Sequence, residues 1–154
     1  MTVLFRAATR ADLPAILALL ADDPLGAARE GAAGPVAACY ADAFDAMADD
    51  ANQMLAVAEE AGAVIGTLQL TFIPGLSRRG AWRGQIEAVR VARDRRGAGI
   101  GGAFIDWAID RCRARGCALV QLTSDRTRED AHRFYARRGF GASHIGYKLK
   151  LRPR

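Results

Sequence analysis

An arginine- and glycine-rich stretch between Arg93 and Gly102 has residue types that suit the binding of an anion. Arginine side chains bind phosphate groups through charge-assisted hydrogen bonds that are often bidentate. Glycine has no Cβ atom, so its backbone can approach a ligand closely. The apolar run that follows has helical spacing, and the first amides of a helix lack partners inside the helix and can converge on one anion. The stretch therefore predicts a cradle for a pyrophosphate group.

The same glycines also fit a second motif, because Gly97, Gly99 and Gly102 spell G-x-G-x-x-G, the fingerprint of dinucleotide-binding folds. In that fingerprint the strand runs directly into the first glycine, whereas here residues 92–96 separate the strand pattern ending at Val91 from Gly97. A P-loop is excluded because no Gly-Lys-Ser/Thr follows the glycines. A nucleotide-binding oxidoreductase module and a tight turn with incidental arginines remain as alternatives.

Length and composition limit the classes of protein that the chain can belong to. The 154 residues correspond to about one domain, predicted over 1–154, and a hydrophobic fraction of 51% is enough for a real core. No run of about 18 apolar residues exists, so no segment is predicted to span a membrane. The N-terminal stretch, broken by Arg6, does not read as a signal peptide.

The three cysteines are an odd number in a chain without a signal peptide, which indicates reduced thiols and a cytoplasmic location. They form no C-x-x-C motif and lie near no histidine cluster, so no metal site is predicted. The net charge is +5, and the basic residues cluster between Arg78 and Arg96 and between Arg111 and Arg138. Such clusters are usually solvated faces. A nucleic-acid surface is disfavoured, because neither an RNP-type motif nor a helix-turn-helix pattern is present.

The hydrophobic pattern predicts elements in the order βααβββαβαβ, an α+β or mixed α/β sheet. Strands are predicted at Val3–Ala7, Gln53–Glu59, Val64–Phe72, Gln85–Val91, Ala118–Thr123 and Ile145–Leu151. The turn at residues 60–63 predicts a hairpin between the second and third of them. Helices are predicted after a capping box at Thr9–Asp12, from Pro35 to about Asp49, at Ile100–Arg115 and at Glu129–Arg138. Small residues in the segment 25–34 predict a mobile loop between the first two helices.

Two motifs in the second half of the chain resemble those of the GNAT N-acetyltransferases. Arg96-x-x-Gly99-x-Gly101 is similar to the family's [QR]-x-x-G-x-[GA] acyl-CoA loop, with a strand before it and a helix after it. Downstream, the run from Ala131 to Phe140, AHRFYARRGF, is similar to the family's A-x-x-x-Y-x-x-x-G-F pattern. These features match in order and spacing from about residue 85 to 151. The first half fits the family's element order but carries no motif of its own.

The resemblance implies a twisted, mostly antiparallel sheet flanked by helices, with the fourth and fifth strands splayed to admit acetyl-CoA. It implies direct transfer of an acetyl group from acetyl-CoA, the co-substrate, to a primary amine within a ternary complex, without a metal. The acceptor amine belongs to a small molecule, or alternatively to a peptide or protein. A CoA-binding regulatory module that has lost catalysis is an alternative, and a homodimer is left open.

Amine acetylation requires both an acid and a base. An alkylammonium must lose a proton before it can attack, and the departing thiolate benefits from gaining one, so the two groups belong on opposite sides of the thioester. The resemblance implies that Tyr135 is the acid, since a tyrosine hydroxyl with an ordinary pKa of about 10 stays protonated at neutral pH. The alternative role for Tyr135 is a core aromatic on an amphipathic helix.

Glu87 is the candidate base. In strict strand alternation it shares a face with Val89 and Val91, while Arg90 points the other way. A carboxylate on an apolar strand face is costly unless it is paired or takes part in chemistry. The alternative role is therefore an ion pair with Arg90 or Arg83.

The resemblance also implies which residues bind acetyl-CoA: strand backbone pairs with the pantetheine arm, and the loop holds the pyrophosphate. The family's asparagine ahead of A-x-x-x-Y is replaced by Arg128, so Ser124 or Asp125 is a candidate for that contact. The predicted CoA-binding residues are Val89, Arg90, Val91, Arg96, Gly97, Ala98, Gly99, Ile100, Gly101, Gly102, Ser124 and Asp125. The candidates for the acceptor cleft are Arg78, Arg79, Trp82, Tyr40 and Phe44.

Overall fold

The computed structural model describes residues 2–30 and 34–151 and contains a five-stranded sheet with helices. The strands are β1 (Val3–Ala7), β2 (Gln53–Glu60), β3 (Ala63–Ile73), β4 (Trp82–Val91) and β5 (Cys117–Leu122), in the sheet order β1-β2-β3-β4-β5. The first four pair antiparallel, and β5 lies parallel to β4. The helices are α1 (Leu13–Ala21), α2 (Pro24–Ala27), α3 (Ala38–Ala48), α4 (Ser77–Gly80), α5 (Ile100–Ala114) and α6 (Glu129–Arg137). The predicted mixed α+β class with a mostly antiparallel sheet is confirmed, and the splay of β4 from β5 stays a prediction.

The chain divides into two compact units whose boundary lies within β5, between Val120 and Gln121. The first unit holds β1 to β4, α1 to α5 and most of β5. The second holds the end of β5, α6 and the segment that follows it. The single domain predicted over 1–154 stays a prediction.

The core of the first unit lies between the sheet and α5. Leu68, Leu70 and Ile86 on the sheet and Phe104 and Ile105 on α5 are at most 1% exposed. Side chains of this size each contribute roughly 1.5–3 kcal/mol when fully buried. Val57, Ile65 and Thr67 alternate with these sheet residues and are buried as well, so the opposite face is also covered, and α1 packs against β3 and β4.

Gly84 on β4 allows α5 to approach the sheet closely. A Cβ atom at this position would lie 2.2 Å from the Cys112 sulfur, a distance that real contacts essentially never show. Any larger residue at position 84 would therefore push α5 away from β4.

Two local predictions are confirmed in detail. The capping box is formed, because the Thr9 amide donates to the Asp12 carboxylate at 2.7 Å, although the box covers a 3₁₀ turn (Arg10–Asp12) that precedes α1. The hairpin between β2 and β3 turns at Ala61 and Gly62, whose φ angles of 49° and 81° are both positive. Two central residues with positive φ are the signature of a type I′ turn, which matches the twist of the flanking strands.

Several predicted boundaries are wrong. The second helix begins at Ala38 rather than Pro35, because Ala37 caps it with an extended backbone. Part of the predicted loop 25–34 is helical, in α2, and its residues 31–33 lie outside the described residues. The fourth strand begins at Trp82 rather than Gln85, because pairing with β3 continues to Arg83.

The predicted final strand, Ile145–Leu151, is also wrong. Residues 141–151 have no regular secondary structure. The alternating pattern that predicts a strand is present, but a strand also needs a neighbour to pair with its backbone. The described residues provide no strand that pairs with this segment.

None of the helices in the described part of the chain combines the length and the apolar character needed to cross a bilayer. Within the same residues, no group of three or more His, Cys, Asp or Glu side chains is arranged to hold a metal ion.

Candidate active site

The loop between β4 and α5 has the backbone that its glycines predict. After β4, a 3₁₀ turn at Arg93–Arg95 leads to Gly97 and Gly99, with φ angles of 83° and 80°. A residue with a Cβ atom is strained at such angles. A Cβ atom built at either glycine would meet nothing within 4 Å. Glycine is therefore required here because of the positive φ angle, and not because a larger side chain would clash with a neighbour.

The start of α5 presents free backbone amides. Gly99 is the residue before the helix and has no side chain with which to cap it. The Ala103 amide donates to the Gly99 carbonyl at 3.0 Å, so the amides of residues 100–102 precede the first bond of this helix. Free amides together with the positive end of the helix dipole form a site for an anion.

The arginines of the loop are held by carboxylates of neighbouring elements. Arg93 and Arg96 both reach Asp22, at 3.2 and 3.4 Å, and Arg95 pairs with Glu60 at 2.9 Å. Asp22 directly follows α1. The Arg93 and Arg96 side chains are 75% and 47% exposed, and ion pairs between exposed groups contribute little, about 0–1 kcal/mol. The Arg95 pair is less exposed, since the Glu60 side chain is only 14% exposed. Arg93 and Arg96 can therefore exchange Asp22 for another anion at small cost.

A β-bulge interrupts β4 one residue after Glu87. Gln69 on β3 lies opposite Glu87 and Thr67 lies opposite Arg90, so a two-residue step on β3 faces a three-residue step on β4. Ala88 takes a left-handed φ of 52°, which is uncommon for a residue other than glycine. Bulges are frequent beside active sites, where they redirect a side chain. The sequence did not predict this one, because alanine carries no bulge signal.

The bulge overturns the predicted orientation of Glu87. Directly opposed residues share a face of the sheet, and so do Thr67 and Gln69, which lie two positions apart on one strand. Glu87 and Arg90 therefore lie on the same face, whereas Val91, opposite Gly66, lies on the other. The prediction that Glu87 shares an apolar face with Val91 is wrong, since one extra residue inverts the alternation beyond it.

The Glu87 carboxylate is exposed and forms no ion pair with any residue in the described ranges. Arg90, its predicted alternative partner, pairs instead with Asp23 at 2.8 Å, and both of those side chains are nearly buried. Asp23 also caps α2 by accepting from the Gly26 amide at 2.6 Å. The junction of α1 and α2 is thereby tied to the bulge, while the Glu87 side chain remains exposed.

A row of polar side chains continues from Glu87 across the same face of the sheet; we call Gln53, Gln69, Thr71, Gln85 and Glu87 the polar row. Its neutral members are half-buried, and the Gln53 side-chain oxygen accepts from Gln69 at 3.2 Å and from Thr71 at 2.9 Å. Sequence reasoning missed this row. The signal was the alternation along β3, where Leu68, Leu70 and Phe72 face the core.

The turn between β3 and β4 contains two of the predicted acceptor-cleft residues in an unusual conformation. Arg78 and Arg79 have φ angles of 54° and 62°, so this turn is left-handed. Trp82 lies in β4 and not in a loop as predicted, and the Arg115 guanidinium stacks over its ring at 5.7 Å. On α3, the Tyr40 hydroxyl donates to Glu30 at 2.9 Å.

In the second unit, Tyr135 lies on α6 within an aromatic cluster. Its ring makes edge-to-face contacts with Phe134 at 5.1 Å and with Phe140 at 5.8 Å, and it is half-buried. Arg128, which replaces the family's asparagine, stands at the start of α6 without capping it through its side chain.

The loop before α6 is closed by Asp125. Its carboxylate accepts from the Thr127 hydroxyl and amide, at 2.6 and 2.9 Å, and these bonds lower the pKa of Asp125. The Asp125 carbonyl lies 2.8 Å from a ring nitrogen of His132. The Asp125 side chain thus stabilises its own turn, and Ser124 beside it is half-buried.

Comparison with known proteins identifies relatives along most of the chain. Residues 14–140 match the sequence model of the acetyltransferase (GNAT) family. The aminoalkylphosphonate N-acetyltransferase of Salmonella typhimurium is 33% identical over 112 residues, which cover 73% of this chain and 72% of that protein. The glucosamine 6-phosphate N-acetyltransferase of Trypanosoma brucei brucei is 36% identical over 90 residues, 58% of this chain and 59% of that protein.

A solved structure, a transcriptional regulator from Bacillus halodurans C-125, superposes on this fold with a TM-score of 0.95 at 45% sequence identity. The match covers 97% of this chain and 100% of that one. The family match includes the glycine loop, the bulged strand and α6. It opposes the dinucleotide alternative, as does the 3₁₀ turn that separates β4 from Gly97. The chain belongs to the acetyltransferase (GNAT) family.

Proposed function

We propose that this protein transfers an acetyl group from acetyl-CoA to the primary amine of a small molecule, by direct attack within a ternary complex. One observation carries the proposal: an anion cradle at residues 96–102 follows a bulged strand that presents Glu87, a carboxylate without an ion pair among the described residues. Membership of the GNAT family supports the reaction class.

The loop and the start of α5 bind the pyrophosphate of acetyl-CoA. The amides of Ile100, Gly101 and Gly102 donate to it, and the left-handed glycines at 97 and 99 let the backbone approach. Arg96 exchanges its long contact with Asp22, at 3.4 Å, for charge-assisted hydrogen bonds to a phosphate oxygen.

The pantetheine arm pairs with the backbone of β4 beyond the bulge, at Val89 and Val91. Support comes from the register of β4, which has one residue more than β3 at this point. The extra residue leaves a backbone group without a place in the ladder. Such a backbone group can form a hydrogen bond with the acetyl end of acetyl-CoA.

Two side chains move the protons. Glu87 takes a proton from the acceptor ammonium, directly or through a water molecule, and the freed amine attacks the thioester carbonyl. The carbon–sulfur bond then breaks, and Tyr135 donates a proton to the departing sulfur. The attacking nitrogen loses its second proton as the amide forms, and that proton restores the Tyr135 hydroxyl through water. The missing ion pair of Glu87 supports its role, because a paired carboxylate would be a weaker base.

The acceptor carries an anionic phosphonate or phosphate group beside its amine. Both curated relatives are named for acceptors of this kind. The polar row fits such a substrate in this chain: Arg83, opposite Ile73, lies at its cationic end, and Glu87 lies at its anionic end. Arg83 makes no ion pair with a residue in the described parts of the chain, so its charge is available to a phosphonate.

The experiment compares kcat/KM for an aminoalkylphosphonate with that for the alkylamine lacking the phosphonate group. We expect a preference for the phosphonate of roughly 10–100-fold, since a hydrogen bond to a charged group is worth about 1.5–3 kcal/mol. Arg83→Gln should remove most of this preference. Arg113→Gln, on an exposed arginine of α5, is the matched control and should keep it. Equal kcat/KM values for the two amines would refute the acceptor class while leaving acetyl transfer intact.

A second candidate is a CoA-binding regulatory module without catalysis. It is favoured by one observation, that the Bacillus halodurans protein of similar structure is described as a transcriptional regulator. Tight binding of acetyl-CoA, together with no thiol release across a panel of amines, would support this candidate over the enzyme.

A further inference from the structure

Asp23 and Arg90 form a nearly buried ion pair beside the β-bulge of β4. The Arg90 Nε and one Asp23 carboxylate oxygen lie 2.8 Å apart, and the two side chains are 12% exposed or less. The other Asp23 oxygen accepts from the Gly26 amide at 2.6 Å and caps α2. One carboxylate therefore both begins α2 and neutralises a cation of β4.

Arg90 is also a neighbour of Glu87 on one face of the sheet. Arg90 lies opposite Thr67 and Glu87 lies opposite Gln69, so their partners on β3 are two positions apart. Two residues of a strand span about 7 Å, a distance that an arginine and a glutamate side chain can bridge together. The bulge is the cause, because without the extra residue at Ala88 positions 87 and 90 would lie on opposite faces. The bulge thus brings a cation next to the candidate base.

We propose that Asp23 is a positioning residue for acetyl transfer: it holds the Arg90 guanidinium and so keeps it from pairing with Glu87. This role rests on the proposed function, in which Glu87 is the base. A cation within about 4–6 Å favours the charged form of a carboxylate and makes it a weaker base. Arg90 pairs with Asp23, while Glu87 is exposed and makes no ion pair in the parts of the chain that the structure describes.

The burial of the pair explains why Arg90 stays with Asp23 and not with Glu87. Breaking a buried ion pair is unfavourable, since it leaves a buried charge without compensation. The cap adds to this, because the Gly26 amide fixes the position of the Asp23 carboxylate. Asp23 also stands between α1 and α2, and α1 packs against β3 and β4. The carboxylate is therefore anchored to the sheet that carries the base.

The test is a double-mutant cycle on kcat/KM for an aminoalkylphosphonate, with Asp23→Ser and Glu87→Gln as the two changes. Serine can keep the cap of α2 but removes the carboxylate that holds Arg90. Asp23→Ser should lower kcat/KM about tenfold, less than the loss of the base itself, and leave KM for acetyl-CoA unchanged. In the Glu87→Gln background the same substitution should cause no further loss, because Asp23 acts through Glu87. A purely structural role would give additive losses instead.

Asp12→Ser is the matched control for the loss of a capping carboxylate that also pairs with an arginine. Asp12 accepts from the Thr9 amide at 2.7 Å and bonds Arg6 at 2.8 Å, in the link between β1 and α1. The substitution should lower the Tm and leave kcat/KM close to the wild-type value. Circular dichroism and the Tm of Asp23→Ser check that this variant is folded.

A crystal structure of Asp23→Ser supplies a readout that needs no activity. The Arg90 guanidinium should lie within about 4 Å of the Glu87 carboxylate, whereas in the wild type it pairs with Asp23. Additive losses in the cycle, a wild-type kcat/KM in Asp23→Ser, or an Arg90 side chain that stays away from Glu87 would each overturn the inference and leave the proposed function intact. A wild-type rate in Glu87→Gln would overturn the proposed base, and with it the role of Asp23.

Discussion

At the scale of single residues, the conformation of the loop glycines was predictable from the sequence and the surroundings of Glu87 were not. The backbone conformation at Gly97 and Gly99 was predictable, because a left-handed φ near 80° nearly requires glycine, and a glycine in such a loop therefore indicates that conformation. The face of the sheet that Glu87 shares with its neighbours was not predictable. The bulge after Glu87 is made by Ala88 at a φ of 52° and depends on how β4 pairs with β3. Tyr135 was found from a motif, and its aromatic neighbours Phe134 and Phe140 belong to the same run of the sequence, AHRFYARRGF.

Glu87→Gln should lower kcat/KM by about 10²-fold at neutral pH, the lower range for general-base catalysis. The loss should shrink as the pH rises toward the pKa of an alkylammonium, about 10, because free amine then needs no base. Asp110→Asn, on an exposed face of α5, is the control and should leave the pH–rate profile unchanged. An unaltered profile in Glu87→Gln would remove Glu87 from the chemistry.

Tyr135→Phe should reduce kcat by about 10²-fold with little change in the affinity for either substrate, since it removes one hydroxyl and almost no volume. A thiolate is already a fair leaving group, so we expect the low end of the effect of a general acid. Phe134→Leu, in the same aromatic cluster, is the control: it should lower the Tm and leave kcat close to the wild-type value. Wild-type turnover in Tyr135→Phe would show that the ring serves packing alone.

At the scale of elements, the patterns that were predictable are those with local causes. The β2–β3 hairpin and the limits of α5 follow from turn residues and from apolar spacing. The early start of β4 depends on a distant contact, because Arg83 joins the strand through pairing with Ile73 on β3. The polar row was missed for the same reason: its members come from three strands and share a face only after pairing.

Gly99→Glu should abolish binding of acetyl-CoA, because a carboxylate would stand in the anion cradle. The matched control is Gly62→Glu, since Gly62 has a φ of 81° and equal open space in the β2–β3 turn. Both variants carry the same backbone strain, about 1–2 kcal/mol, and the same added charge. Isothermal titration with acetyl-CoA should therefore separate them, and equal affinities would show that the loop is not the cradle.

Asp12 should make the link between β1 and α1 sensitive to acid. The Arg6 guanidinium bonds the Asp12 carboxylate at 2.8 and 3.0 Å and lowers its pKa to about 2, from 3.8. A lowered folded-state pKa gives stability that is present above pH 4 and lost as the pH falls toward 2. Asp12→Asn should lower the free energy of unfolding by about 2 kcal/mol at pH 7 and by much less near pH 2, measured by urea denaturation. A deficit that is equal at both pH values would contradict this.

At the scale of the whole molecule, the fold class was predictable, whereas the conformation of residues 141–151 was not. Alternation along residues 145–151 predicts a strand that the structure does not contain, because a strand also needs an edge to pair with and the alternation alone supplies none. The acceptor is a similar case. It depends on a surface that several elements build together, and the spacing of residues along one strand does not predict such a surface.

The most direct test of the central claim is the initial rate of thiol release from acetyl-CoA, with and without an aminoalkylphosphonate, followed by mass spectrometry of the product. The account predicts release that depends on the amine, saturates with it and yields the N-acetylated compound in equal amount to free CoA. Acetyl-CoA that binds but is not consumed, across both phosphonate-bearing and simple alkylamines, would contradict it.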